Sequence, residues 1–190
     1  TIIDMKTSLA LQDVTINDSK HGVKSDENGT FKINSNESKY HVKAYGYRPL
    51  EFTSDRNDAT IKVEPITIKA LYLTYWGASN NSGTFKNMLK IIERTEVNSV
   101  VMDVKNEYGS TSFLTSFEQA NSYGAQNTRT NRNIQKFMKT LKDRNIYTIA
   151  RVVAFKDEIQ ASNNPDYAIR RDDNGSVWRN DDNMAWVDPF

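Results

Sequence analysis

The chain has 190 residues, of which 37% are hydrophobic and 26% charged, a composition typical of a globular protein with one large or two small domains. Its 25 basic and 24 acidic residues leave a formal net charge of +1, which gives no electrostatic basis for binding nucleic acid or an anionic membrane surface. No run approaches the roughly 18 apolar residues of a membrane span. The sequence therefore predicts neither a nucleic-acid partner nor a membrane span.

The sequence contains no cysteine and two histidines, His21 and His41. Disulfides, thiolate metal sites and a cysteine nucleophile are therefore excluded from these residues. Because both histidines precede residue 66, a Ser-His-Asp triad or a histidine-ligated metal is also excluded from the remainder of the sequence. We expect no metal and no cofactor. The chain begins at Thr1 without an apolar leader, and we expect it to be a processed product or a fragment.

Residues 1–66 show short strand-like runs separated by turn residues. The runs, rich in β-branched and aromatic side chains, cover residues 9–16, 21–25, 30–33, 40–45 and 59–63. Asn, Asp, Gly and Ser cluster at residues 17–19, 26–29, 34–38 and 54–58. Short strands with a turn about every 8–12 residues predict an all-β sandwich domain over residues 1–66.

The sharpest local signal in this first region is residues 26–31, Asp-Glu-Asn-Gly-Thr-Phe, in which Gly29 can supply the positive φ of a tight turn. Together with residues 40–49, which end in Gly-Tyr-Arg-Pro, this segment resembles the carboxypeptidase regulatory-like, or prealbumin-like, β-sandwich family. The resemblance implies an accessory or spacer module of the kind found on exported enzymes and surface proteins.

After residue 66 the pattern changes to strands alternating with helices. Apolar runs at 70–76, 97–104 and 146–155 predict three strands, and the run at 97–104 is typical of a strand covered on both faces. Two sets of residues repeat the i, i+3, i+4, i+7 spacing of one helix face: Phe85, Met88, Leu89 and Ile92, and then Ile134, Phe137, Met138 and Leu141. Ser82 or Thr84 is placed to cap the first helix, and Asn131 or Asn133 the second. The β-α-β-α-β order predicts a parallel sheet.

Both a doubly wound sheet and an eight-stranded barrel begin with this order of elements. Residues 76–83 contain neither G-x-G-x-x-G nor a P-loop lysine, which argues against nucleotide binding. Three parallel strands leave open edges. We expect the remaining barrel segment or a neighbouring chain to cover the exposed edge.

In parallel α/β folds, the active site forms at the carboxyl ends of the strands. Strand alternation places Val101, Asp103 and Lys105 on one face, and likewise Arg151, Val153, Phe155 and Asp157. Asp103 and Arg151 interrupt apolar runs, so they form either a structural ion pair or the base of a substrate pocket. Trp76, Trp178 and Trp186 are suited to stacking on a sugar ring, and equally to ordinary packing.

Several segments of residues 70–190 follow one family's order: 72–76 (Tyr-Leu-Thr-Tyr-Trp), 100–109, 149–157, 164–169, 178–179 and 185–190 (Ala-Trp-Val-Asp-Pro-Phe). Together they are similar to a bacterial family of proposed glycoside hydrolases, first catalogued as a domain of unknown function. The resemblance implies an α/β fold, a (β/α)8 TIM barrel truncated after about three strands, over residues 67–190. It also implies an extracytoplasmic location (periplasmic, cell-surface or secreted) and a polysaccharide or glycoconjugate substrate.

The candidate site contains nine residues. Asp103 and Asp157 are the available catalytic carboxylates, with neither assigned as nucleophile or acid. The resemblance implies that the substrate-binding residues, which face the sugar-binding cleft, are Tyr75, Trp76, Lys105, Arg151, Lys156, Trp186 and Asp188. Barrels of this type place a catalytic Asp at the end of the fourth strand, beyond Phe190, and we therefore expect the 190-residue chain to be inactive alone. The alternative is a non-catalytic carbohydrate-binding or cell-surface protein on the same scaffold.

Overall fold

A computed structural model describes residues 1–33, 37–53, 59–79, 82–126, 130–131 and 133–190. The chain divides into two compact units, Thr1–Ile68 and Lys69–Phe190, and each is described by itself. The turns predicted at 34–38 and 54–58 lie mostly or entirely outside the described residues. Within the described ranges, no helix has both the length and the apolar character needed to cross a bilayer.

The first unit consists of two small sheets. Its strands are β1 (Ile2–Asp4), β2 (Thr15–Asn17), β3 (Gly22–Lys24), β4 (Lys39–Lys43), β5 (Leu50–Thr53) and β6 (Ile61–Val63). Strands β1 and β6 pair in parallel, while the other four form an antiparallel sheet in the order β3-β2-β4-β5. Both sheets contribute to one hydrophobic core, which contains Ile2, Val14, Ile16, Tyr40, Val42, Ile61 and Val63.

Several predicted strands of the first unit are wrong in extent. Residues 30–33 do not form a strand, because the backbone around them is bonded elsewhere: Ile2 donates to the carbonyl of Gly29 (2.8 Å) and Asp26 to that of Thr30 (2.9 Å). The run at 9–16 yields a strand only at its end, in β2. Strands β1 and β5 were not predicted.

The second unit is a three-stranded sheet with helices. Its elements are β7 (Ala70–Leu73), α1 (Gly83–Arg94), β8 (Ser99–Lys105), α2 (Glu118–Ser122), α3 (Ile134–Lys142), β9 (Tyr147–Val152) and α4 (Glu158–Asn163). The strands pair in the order β7-β8-β9, and both pairings are parallel. The predicted parallel sheet is therefore confirmed, and β7 and β9 form its two edges.

The two predicted helices form where the apolar periodicity places them. Ser82 caps α1 by accepting a hydrogen bond from the N–H of Phe85 (3.0 Å), and Asn133 caps α3 by accepting one from Lys136 (2.9 Å). The apolar faces of both helices bury side chains against one face of the sheet. This core contains Leu73, Ala78, Phe85, Met88, Val100, Met102, Phe137, Leu141 and Ile146. Since side chains alternate along a strand, Tyr72, Asp103 and Arg151 lie on the other face of the sheet.

Two of the three strands end earlier than predicted. Strand β7 ends at Leu73, because the next carbonyl, that of Thr74, accepts a hydrogen bond from Ala78 (3.1 Å) and closes a turn. Strand β9 ends at Val152 rather than at residue 155. The register between β8 and β9 also shifts between Asp103 and Lys105, which breaks the simple alternation of faces along β8.

The last 26 residues, 165–190, fold back towards the end of β9. A short 3₁₀ helix (Pro165–Tyr167) leads into isolated bridges that pair Ala168 with Val187 and Lys156 with Trp186. A small apolar cluster of Ala161, Ala168 and Ala185 supports this segment. The bridge to Lys156 brings Trp186 to the carboxyl end of the sheet.

Candidate functional site

A cavity of about 700 Å³ lies at the carboxyl ends of the three parallel strands. Three short segments contribute most of its lining: 74–76 after β7, 106–108 after β8 and 153–156 after β9. Side chains from the strands themselves form its base. The lining also includes Tyr72, Asp103, Arg151 and Trp186. This is the edge of a parallel sheet at which ligands bind in both barrels and doubly wound folds.

Asp103 is the centre of the site and is only 5% exposed. Arg151 donates from Nη1 to Oδ1 of Asp103 (2.6 Å), and the hydroxyl of Tyr72 donates to Oδ2. Arg151 also donates to the hydroxyl oxygen of Tyr72 (3.2 Å). Both carboxylate oxygens are therefore engaged. The ion pair and the pocket base, which the sequence presented as alternatives, are the same structure.

Asp103 raises the pKa values of its two hydrogen-bond partners, Tyr72 and Arg151. The hydrogen bond to Asp103 raises the pKa of Tyr72, because losing the phenolic proton would place two anions side by side. The hydrogen bond to Asp103 likewise raises the pKa of Arg151. Arg151 also lies over the Tyr72 ring, 5.7 Å from its centroid. At neutral pH the pocket thus presents a neutral phenol and a guanidinium cation, both oriented by a buried carboxylate.

Trp76 projects into solvent at the rim, with 68% of its surface exposed. Its neighbour Tyr75 is buried and holds the segment in place: its hydroxyl donates to the carbonyl of Thr111 (3.0 Å), and its own carbonyl accepts from Oγ1 of Thr130 (2.9 Å). The two rings meet edge to face, with centroids 5.0 Å apart. A large ring exposed on a fixed support is available for stacking on a ligand.

Trp186 contributes a second ring to the cavity, and a polar clamp holds the chain beside it. Glu158 accepts hydrogen bonds from Arg179 (3.0 Å) and from the N–H of Ala185 (2.6 Å). Burial raises the pKa of Glu158, but the bonds from Ser162, Ala185 and Arg179 outweigh it and hold that pKa below its ordinary value. Trp178 does not line the cavity and instead packs edge to face against Trp186, with centroids 6.3 Å apart.

Lys105 and Asp157 lie on a different cavity, of about 310 Å³. They form an ion pair with Nζ 2.5 Å from Oδ2, and Oδ1 of Asp157 caps α4 by accepting from Gln160 (2.8 Å). The prediction that Lys105 shares a face with Asp103 is wrong, because the register shift intervenes. The prediction that Asp157 continues the Arg151 face is also wrong, since the strand ends at Val152.

The remaining predicted residues divide between the pocket and the surface. Lys156 lines the larger cavity and pairs with Asp182 (3.3 Å). Asp188 lines neither cavity, and its side chain accepts from the N–H of Phe190 (3.0 Å). Of the predicted site residues, the larger cavity thus brings together Tyr75, Trp76, Asp103, Arg151, Lys156 and Trp186.

Tyr72 and Glu107 also line the larger cavity, although neither was predicted as a site residue. Strand alternation gives a signal for Tyr72, which pairs in register with Val101, two residues before Asp103. Glu107 is the second residue after the end of β8, in a segment that contains several other polar residues. Among the described residues, no group of three or more His, Asp or Glu side chains is placed to hold a metal ion.

The chain is similar to the crystal structure of a hypothetical protein from Ruminiclostridium thermocellum ATCC 27405. The two share 32% sequence identity with a TM-score of 0.56, over 63% of this chain and 61% of that chain. The likeness therefore spans about three-fifths of the solved protein. No curated protein matches the chain. Residues 70–190, more than half of the chain, match the family described as "Putative glycosyl hydrolase domain", and the chain therefore belongs to that family.

Proposed function

We propose that this protein is a glycoside hydrolase that cleaves a polysaccharide or glycoconjugate. The observation that carries the proposal is the larger cavity, in which a charged centre is surrounded by aromatic rings. Sugars present apolar ring faces that stack on aromatic side chains, and hydroxyl groups that bond to charged and polar ones. Trp76 and Trp186 supply the first kind of contact, while Arg151 and Lys156 supply the second.

Asp103 has an electrostatic role in this proposal. Glycoside hydrolysis passes through a transition state with positive charge on the sugar ring, and a fixed anion in a shielded site stabilises such charge. Asp103 is buried at the base of the cavity and held by Arg151 and Tyr72. Asp157 is assigned a structural role, because its two oxygens pair with Lys105 and cap α4.

For the architecture, we propose that the parallel strands β7, β8 and β9 are the first strands of a (β/α)8 barrel. Support comes from their order, from the helices packed on one face of the sheet, and from a cavity at their carboxyl ends. Further barrel strands would cover the open edge of β9. The proposal includes an extracytoplasmic location and an accessory role for the first unit as a carboxypeptidase regulatory-like β-sandwich.

The proposal is tested by incubating the full-length protein with a panel of polysaccharides and measuring the release of reducing ends. We expect release from at least one glycan. Trp76→Ala should lower kcat/KM by about 2- to 10-fold, corresponding to an aromatic contact of about 0.5–1.5 kcal/mol. Tyr45→Ala removes a fully exposed ring from the first unit and should leave turnover unchanged. Retained glycan binding without release of reducing ends would instead establish a non-catalytic carbohydrate-binding protein.

A further inference from the structure

The larger cavity contains two carboxylates, Asp103 and Glu107, in different environments. Asp103 is buried and bonded through both oxygens. Glu107 is exposed, and within the described part of the chain its side chain makes no hydrogen bond or ion pair. Its negative charge adds to the effect of Asp103 in raising the pKa of Arg151.

The backbone around Glu107 is firmly held. The side-chain oxygen of Asn106 accepts from the N–H groups of Tyr108 (3.1 Å) and Ser110 (2.9 Å). The backbone of Asn106 bonds to the same turn, donating to the carbonyl of Ser110 (3.0 Å) and accepting from Gly109 (3.1 Å). Glu107 therefore presents an exposed carboxyl group from a turn that is held by backbone and side-chain hydrogen bonds at the cavity.

Hydrolysis of a glycosidic bond requires one group that gives up and regains a proton in each turnover. Asp103 has no free oxygen to offer to a leaving group, because Oδ1 accepts a hydrogen bond from Arg151 and Oδ2 accepts one from Tyr72. The carboxyl group of Glu107 is exposed at the cavity and is free of such bonds within the described part of the chain.

We propose that Glu107 is the general acid of this pocket, a role that rests on the proposed glycoside hydrolase function. The carboxyl of Glu107 donates its proton to the glycosidic oxygen while the bond from that oxygen to the anomeric carbon breaks, and the electron pair stays with the oxygen. Water supplies its oxygen to the anomeric carbon and releases one proton, and Glu107 takes up one proton before the next turnover. The sum is one water consumed for each bond cleaved.

The test compares full-length wild type, Glu107→Gln and the matched control Glu118→Gln, which alters an exposed glutamate at the start of α2. Substrates are the polysaccharide that wild type cleaves and two aryl glycosides of the released sugar. The 2,4-dinitrophenyl glycoside has a leaving group that needs no protonation, whereas the 4-methylumbelliferyl glycoside depends more on an acid.

We expect Glu107→Gln to lower kcat on the polysaccharide by about 10²- to 10⁴-fold, the usual contribution of general acid catalysis. On the 2,4-dinitrophenyl glycoside the loss should be less than about tenfold, because the acid is no longer needed. Glu107→Asp, which keeps a carboxyl group, should recover part of the activity. Glu118→Gln should match wild type, and melting curves should show that every variant folds.

Two outcomes would overturn the role of Glu107 while leaving the glycosidase function standing. One is unchanged turnover of the polysaccharide by Glu107→Gln, and the other is an equal loss on both aryl glycosides, which would indicate a structural effect. Failure of the proposed function is distinct, since wild type itself would then release no sugar. That outcome would remove both proposals.

Discussion

Replacing Gly109 with alanine tests the packing beneath the turn that carries Glu107. Gly109 has a φ of +91°, a conformation that L side chains rarely adopt. A Cβ at this position would overlap Oδ1 of Asp157 and would lie 2.8 Å from its Cγ and 3.0 Å from Cβ of Ile159. The substitution therefore strains the backbone and also pushes against a buried carboxylate.

The expected loss of stability has two parts. Holding a non-glycine residue at positive φ costs about 1–2 kcal/mol. The overlap is relieved only by moving Asp157, which weakens both its ion pair with Lys105 and its cap on α4, and losing a cap costs about 1 kcal/mol. We expect Gly109→Ala to lower the free energy of unfolding by about 2–4 kcal/mol, or the melting temperature by roughly 5–15 °C.

The matched control is Gly175→Ala in the same unit. Gly175 also has a positive φ, +69°, but an added Cβ would meet no atom within 4 Å. This variant should show the backbone cost alone. Urea denaturation followed by circular dichroism should separate the two variants by at least about 1 kcal/mol. Equal losses would refute the close contact between Gly109 and Asp157, and with it the account of how this turn is supported.

Three further predictions concern a cap, a clamp and the buried carboxylate. Ser82→Ala should lower the free energy of unfolding by about 1 kcal/mol in urea denaturation, whereas the neighbouring Thr84→Ala, which removes no cap, should change it far less. Because the folded pKa of Glu158 is depressed, its contribution to stability should be present above its ordinary pKa of 4.5 and be lost as the pH falls further, so that melting curves of wild type and Glu158→Gln converge in acid. Asp103→Asn keeps an acceptor for Arg151 but removes the charge, so glycan turnover should fall by about 10²-fold or more, while the melting temperature falls by only a few degrees. A large loss of stability with unchanged turnover would limit Asp103 to a structural ion pair.

Short-range features of the second unit could be predicted from the sequence. A helix face and its cap depend on residues three or four positions apart, so apolar spacing was enough to locate α1 and α3 and to include Ser82 and Asn133 among their candidate caps. Asp103 and Arg151 were recognisable for a similar reason. A charge inside an apolar run needs a partner or a polar cavity, and here it has both.

Longer-range features depended on the tertiary structure. A strand needs a hydrogen-bonding partner that is distant in sequence, and residues 30–33 looked like a strand but found none. The alternation that predicts a shared face for Asp103 and Lys105 fails at one register shift, which sends Lys105 to Asp157 and a separate cavity. Tyr72 joins Asp103 across two strands, a contact between residues 31 positions apart. Periodicity along the chain thus identifies elements and unusual charges, whereas the pairing of strands decides which of those charges meet.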